Sequence, residues 1–262
     1  MINEKIKPLN LNAQLCSRRV LKYIAAFFLI LINLSISICF SKPLLQFHNL
    51  DKSDGLASSV VFDIAEDAEG FIWFATQDGL QKYDGNKLET FRFNPTEPNS
   101  LSNNIVRNLL FSKNGLLWVG TEDGVDLYNY KTDSFQTHSN YFPAKQKLTS
   151  NQIREIYQTE DEIIWVGTGA GLSSINLKKR EIINYPLAKV RSIFEDDFNR
   201  LWVGTLGEGL YLFDRVTEQF KLVDRYKDIE QLSDFNPGNE SVVDIYQDSF
   251  GRLLVATWGN GL

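Results

Sequence analysis

Five short segments constrain this chain more than any other feature. Trp73-Phe74-Ala75-Thr76, Trp118-Val119-Gly120-Thr121, Trp165-Val166-Gly167-Thr168, Trp202-Val203-Gly204-Thr205 and Leu254-Val255-Ala256-Thr257 are one motif written five times. Nine residues before each lead residue stands an aliphatic: Ile64, Leu109, Ile156, Ile193 or Ile245. After the lead comes a Gly-aliphatic step at Gly79-Leu80, Gly124-Val125, Gly171-Leu172, Gly209-Leu210 and Gly261-Leu262, then a large side chain at Tyr83, Tyr128, Ile175 and Phe213. Self-similarity of this kind means one supersecondary unit repeated, with neighbouring copies burying each other.

The leads lie 45, 47, 37 and 52 residues apart, which fits a four-stranded propeller blade and is too long for leucine-rich or ankyrin units. Val61–Ile64 and its equivalents are short β-rich runs, followed by turn signals such as Glu66-Asp67-Ala68-Glu69-Gly70. The Trp strand comes next, then a tight turn such as Gln77-Asp78-Gly79, where glycine supplies positive φ. A third strand runs through Tyr83 or Tyr128 and a weaker fourth through Phe91-Arg92-Phe93, Phe135-Gln136-Thr137 or Phe220-Lys221-Leu222. The expected fold is all-β: a β-propeller of four-stranded antiparallel blades, about four and a half of them present in an incomplete ring over residues 42–262. The recurring Trp is expected to be a buried wedge between blades, with the neighbouring Gly or Ala leaving room for close backbone approach.

Charge divides the chain. Residues 1–41 hold five cations (Lys5, Lys7, Arg18, Arg19, Lys22) and one acid, and the body beyond them has 22 basic and 32 acidic residues. A body this acidic lacks the clustered Lys and Arg that phosphate backbones require, so nucleic acid is not an expected partner. The basic head leads into eighteen uncharged residues, Tyr23 to Phe40, the pattern of a signal peptide or signal anchor, and we expect residues 1–41 to form a hydrophobic helix of that kind. Charges before the apolar run are expected to stay inside the cell, placing the body in the periplasm, exported across or anchored in the inner membrane. Both cysteines, Cys16 and Cys39, fall in this segment, so the body has neither disulfides nor cysteine metal sites. Cys39 follows the bulky Ile38, which disfavours a lipid attachment.

Spelled out as Ile-x8-Trp-Val-Gly-Thr-x3-Gly-Leu, the motif resembles the two-component regulator propeller repeat of bacterial periplasmic sensors. The opening Phe47-His48-Asn49-Leu50 through Asp54-Gly55-Leu56-Ala57-Ser58-Ser59-Val60, then Gly70-Phe71-Ile72-Trp73 and Tyr83-Asp84-Gly85, resembles the way such sensor domains begin, over about residues 44–262. The resemblance implies a ring, often of seven blades, followed by a membrane helix and a histidine kinase or diguanylate cyclase. It also implies that a strand near Gln46 to Leu50 completes the outer edge of the last blade. The repeats stop within the fifth copy, so the chain is expected to be an N-terminal fragment with exposed blade edges. Ile175 for an aromatic and Leu254 for Trp are departures within the pattern.

Connections between copies vary in length while the repeat itself does not. Asn94 to Asn104, Asn140 to Gln152 and Asp228 to Glu240 are the long loops leading into the inner strands, and in a propeller they share one rim with the tight turns. Arg107, Arg154 and Arg191 occupy one repeat position there, with fork-shaped donors suited to an acidic or hydroxyl-rich ligand. The alternative has their stems over a blade edge, pairing with acids such as Glu155 or Asp196. Ser58, Ser59, Asn103, Asn104, Asn151 and Gln152 stand just ahead of those strands as ligand-binding candidates or as turn chemistry.

No catalytic residue, metal site or cofactor is expected. His48 and His138 are the only histidines, and neither stands in a short constellation with Ser, Cys or paired carboxylates. Acidic turns such as Glu195-Asp196-Asp197 lack the ligand alternation of calcium loops and are expected to be solvated hairpin ends. The expected function is ligand sensing, of a small molecule or oligosaccharide, in a membrane-bound signalling protein, with a possible homodimer. The alternative is a secreted propeller acting as an enzyme such as a lyase, or as an interaction scaffold.

Overall fold

The structure is a computed structural model that describes residues 49–137, 146–223 and 241–259. The hydrophobic segment before residue 42, the strand expected near Gln46, both histidines and the whole loop from Asp228 to Glu240 lie outside those residues. Among the described residues no helix is long and apolar enough to cross a membrane. Four antiparallel four-stranded sheets and one two-stranded sheet follow each other along the chain, which is the four and a half blades expected.

Blade 1 is β1 (Val61–Glu66), β2 (Ile72–Thr76), β3 (Gly79–Tyr83) and β4 (Leu88–Phe91). Blade 2 is β5 (Val106–Phe111), β6 (Leu117–Thr121), β7 (Gly124–Asn129) and β8 (Ser134–Thr137). Blade 3 is β9 (Ile153–Gln158), β10 (Ile164–Thr168), β11 (Gly171–Asn176) and β12 (Glu181–Tyr185). Blade 4 is β13 (Val190–Glu195), β14 (Leu201–Thr205), β15 (Leu210–Asp214) and β16 (Gln219–Leu222), and the last pair is β17 (Val242–Gln247) and β18 (Leu253–Thr257). Strands β1, β5, β9, β13 and β17 lie side by side as the inner strands. The fourth strand of blade 1 ends at Phe91, earlier than expected, because Arg92 turns to pair with Asp78 and the Phe93 amide donates to Asn104 Oδ1.

Each letter of the repeated motif has a physical task. Trp73, Trp118, Trp165 and Trp202 are buried between blades, whereas Leu254 is 37% exposed. The indole N–H of Trp73 donates to Asp67 Oδ2 (2.8 Å) and that of Trp202 to Asp196 Oδ2 (2.9 Å). Both aspartates also cap the turn before the Trp strand by accepting two backbone amides. Blade 2 has Ser112 at this position, too short to reach, and the buried Trp118 Nε1 has no partner. The Thr closes the motif: Thr76 Oγ1 donates to Gly79 O and accepts from Asp78 N, and Thr121 and Thr168 repeat the clamp. Gly79 has φ 111°, and a Cβ there would stand 2.5 Å from Phe91 O.

The glycine inside the motif has a different reason. A Cβ on Gly120, Gly167 or Gly204 would lie 2.6 or 2.7 Å from the first inner-strand side chain of the next blade: Ile153, Val190 or Val242. Gly167→Ala is expected to destabilise the protein by about 1–3 kcal/mol through overpacking. A denaturation midpoint unchanged from the parent protein would contradict that close approach. Blade 1 carries Ala75 at this position, fully buried, so the spacing of blades 1 and 2 is set for a methyl group.

One expected core residue is not core. Leu109, Ile156, Ile193 and Ile245 are buried to 7% exposure or less, but Ile64 is 59% exposed. The inner aliphatics pack beneath the blade before them, as Ile156 does against Gly120. Among the described residues no blade precedes β1, so Val61, Phe62 and Ile64 stay open.

Candidate functional site

The rim is built from the tight turns and the incoming loops. Gly79 N donates to Asn104 O (2.7 Å) and Gly124 N to Asn151 O (2.8 Å), each joining the turn of one blade to the loop entering the next. A buried side chain on the third strand anchors the loop of its own blade. Gln81 Oε1 accepts from Ala57 N, Asp126 Oδ2 accepts from both the amide and the hydroxyl of Ser102, and Ser173 Oγ accepts from Thr149 N. Asp126 Oδ1 is buried with no partner. Burial pushes the Asp126 carboxyl up to about 6, against the two Ser102 donors that pull it down.

The inner strands carry a β-bulge just inside this rim, at Phe62, Arg107, Arg154, Arg191 and Val243 in turn. A bulge re-aims its side chain away from the ladder. Arg107 Nε donates to Glu122 Oε1 (2.7 Å) and Arg154 Nη1 to the same oxygen (3.0 Å), so one glutamate of the blade 2 turn holds two guanidinium groups. Arg107 also lies over the Phe62 ring, 4.2 Å from its centroid. Arg191 is exposed, outside this cluster. The acid that pairs with Arg107 and Arg154 is therefore Glu122, not Glu155 or Asp196. Asp196 is buried and bonded to Trp202 and Arg200, so it is no solvated hairpin end.

One residue beyond each bulge stands a polar side chain: Asp63, Asn108, Glu155, Ser192 and Asp244. Asp63 Oδ2 accepts from Leu109 N (2.8 Å) and Asn108 Nδ2 (3.0 Å), and Asn108 Oδ1 accepts from Ile156 N (2.8 Å). An inner strand has no ladder partner on its channel side, and in blades 2 and 3 the Asp63 or Asn108 side chain of the preceding blade caps one of its free amides. Burial raises the Asp63 carboxyl against the Leu109 and Ile64 amides. Glu155 is pushed up to about 8 by burial, then by the charges of Asp63 and Asp244, while Arg191 pulls it down.

Four stretches, residues 55–78, 100–123, 147–170 and 184–207, match the family described as two component regulator propeller. These are two-component regulator propeller repeats. Each match runs from the incoming loop through the inner and Trp strands into the tight turn. A protein named histidine kinase P4 from Formosa agariphila is 36% identical over 83 residues, which are 31% of this chain and 6% of that protein. The extracellular domain of a putative hybrid two component system from B. thetaiotaomicron is 23% identical, over 82% of this chain and 41% of that one, with a TM-score of 0.47. A catalytically inactive virginiamycin B lyase from Staphylococcus aureus, solved with quinupristin, is 11% identical, over 85% of this chain and 70% of that one, with a TM-score of 0.58. That last likeness is one of fold. The chain thus spans less than half of the two-component proteins it matches.

The regulator propeller repeats place the candidate polar residues mainly in turn chemistry. Ser58 Oγ accepts from Val60 N and Asn103 Oδ1 from Ile105 N, the same turn in successive blades. Asn104 and Asn151 hold the rim together, Asn151 Nδ2 donating to Asp123 (3.0 Å), and Gln152 O accepts from Gly169 N. Ser59 is exposed. Sequence reasoning missed Glu122 and the capping row. The row stands one residue before each inner aliphatic and was visible in the alignment of copies, but Glu122 looked like an ordinary turn residue.

Proposed function

We propose that this chain is the ligand-sensing propeller of a bacterial signal-transduction protein, held outside the cytoplasm by its N-terminal hydrophobic segment. The observation that carries the reading is the run of four successive two-component regulator propeller repeats. No reaction is assigned to these residues; in the whole protein a kinase or cyclase module would supply the output. The ligand would enter at the rim, where Arg107 and Arg154 share Glu122 and keep donors for an acidic, hydroxyl-rich small molecule or oligosaccharide. A second copy of the chain is the partner that would carry the signal.

Thermal unfolding of the 262-residue chain in mild detergent tests the site, with galacturonate and its oligomers as probes. A ligand at a hundred times its Kd stabilises by about 2.7 kcal/mol, roughly 5–10 °C in a domain of this size. That shift is expected in the parent protein and should vanish in the Arg107→Ala/Arg154→Ala double variant. An equal shift in both proteins, or none in the parent, removes the rim as the site for acidic sugars.

A further inference from the structure

At the end of the strands opposite the arginine rim, a cavity of about 380 Å³ opens between blades 3 and 4 over Trp165. A short side chain at one repeat position opens it. The partner of the lead Trp across the sheet is Lys82 in blade 1, Leu127 in blade 2 and Leu212 in blade 4, but Ser174 in blade 3. The short side chain leaves Trp165 at 4% exposure, against 0–1% for the other three tryptophans.

The same fold shows what such a groove holds when it is filled. Between blades 1 and 2, Trp73 lies 5.9 Å from Phe91 and 4.8 Å from Tyr128. Between blades 3 and 4, Trp165 lies 5.5 Å from Tyr185 and 5.2 Å from Phe213, the latter at 68° between ring planes against 65° for Trp73 and Tyr128. In the first groove the Lys82 ammonium sits 5.4 Å from the Trp73 centroid and 5.8 Å from Tyr128, rings with counterparts in Trp165 and Phe213, and 4.0 Å from Phe71, whose place in blade 3 is taken by Ile163. The groove between blades 2 and 3 differs, with Ile175 and Ile182 in place of aromatic rings.

Charge points the same way. Asp161, Glu181 and Glu218 line the cavity against Lys179 and Arg215. Arg215 is already engaged by Asp161 (2.9 Å) and by Glu195. We propose that the groove between blades 3 and 4 binds a primary alkylammonium ion, its charge against the Trp165 and Phe213 rings where Lys82 would reach in blade 1. Rings attract cations through their quadrupole, most strongly out of water. The site lies at the far end of the blades from the rim and is independent of the ligand proposed there.

Calorimetric titration of the full chain with n-butylammonium chloride tests this, with n-butanol as the neutral isostere. Saturable amine binding is expected, at least tenfold tighter than that of the alcohol. Ser174→Lys places the blade 1 residue in blade 3 and should abolish the binding by filling the site. Ser174→Leu, the residue type of blades 2 and 4, serves the same purpose should the lysine variant not fold. Equal binding of alcohol and amine, no saturable heat, or undiminished amine binding in a folded variant overturns the proposal.

Discussion

Replacing Trp73 by alanine is expected to lower the unfolding free energy by about 3–5 kcal/mol, the cost of truncating a fully buried large aromatic. The residue is fully buried, packs on Phe91 and Tyr128, and donates its indole N–H to Asp67. Denaturant unfolding followed by circular dichroism measures the change, and a loss under about 1 kcal/mol would show that the wedge is dispensable. The conservative variants separate packing from hydrogen bonding. Trp73→Phe leaves Asp67 Oδ2 only the longer Tyr130 hydroxyl contact (3.4 Å) and should cost more than Trp118→Phe, which removes an N–H that has no partner.

Stability is expected to rise as pH falls from 8 towards 4, the reverse of ordinary acid denaturation. The Asp126 carboxyl is raised from 3.8 to about 6 and that of Glu155 from 4.5 to about 8. A raised carboxyl means that the folded state binds its proton more tightly, so the stabilising effect is complete below the unfolded value and is lost as pH rises through the folded one. For Asp126 that window is pH 3.8 to about 6, and the difference corresponds to roughly 2–3 kcal/mol. Asp126→Asn keeps an acceptor for the Ser102 donors without the charge. It should be more stable than the parent near neutral pH and lose that advantage below about pH 4. Parallel pH profiles for the two proteins would rule out a charge cost at this position. Glu155→Gln should flatten the profile over its own window, up to about pH 8.

Much of the fold was legible because the repeat displays its own constraints five times. The Trp, the Gly and the tight turn recur at fixed offsets, and each is satisfied within one blade or by the blade beside it. The Thr was visible in every copy, but its clamp on the turn was not, since the clamp is a matter of hydroxyl direction. The candidate site was less legible. Arg107 and Arg154 stood out by position, yet their shared partner Glu122 sits in a turn whose acidity looked ordinary. Nothing local marks it, because the two arginines reach it from different blades.

By itself the sequence determined the repeating unit, its strand order, the wedge residues and the number of copies within these 262 residues, since local periodicity and turn chemistry act within about 45 residues. Only the tertiary structure decided what each copy meets. Ile64 is open while its four equivalents are buried, Trp118 lacks the bond that Trp73 has, and Ser174 opens a cavity where Lys82 fills one. The physical reason is common to all three: a repeat position specifies a side chain, but burial, charge and volume are set by the neighbour that packs against it.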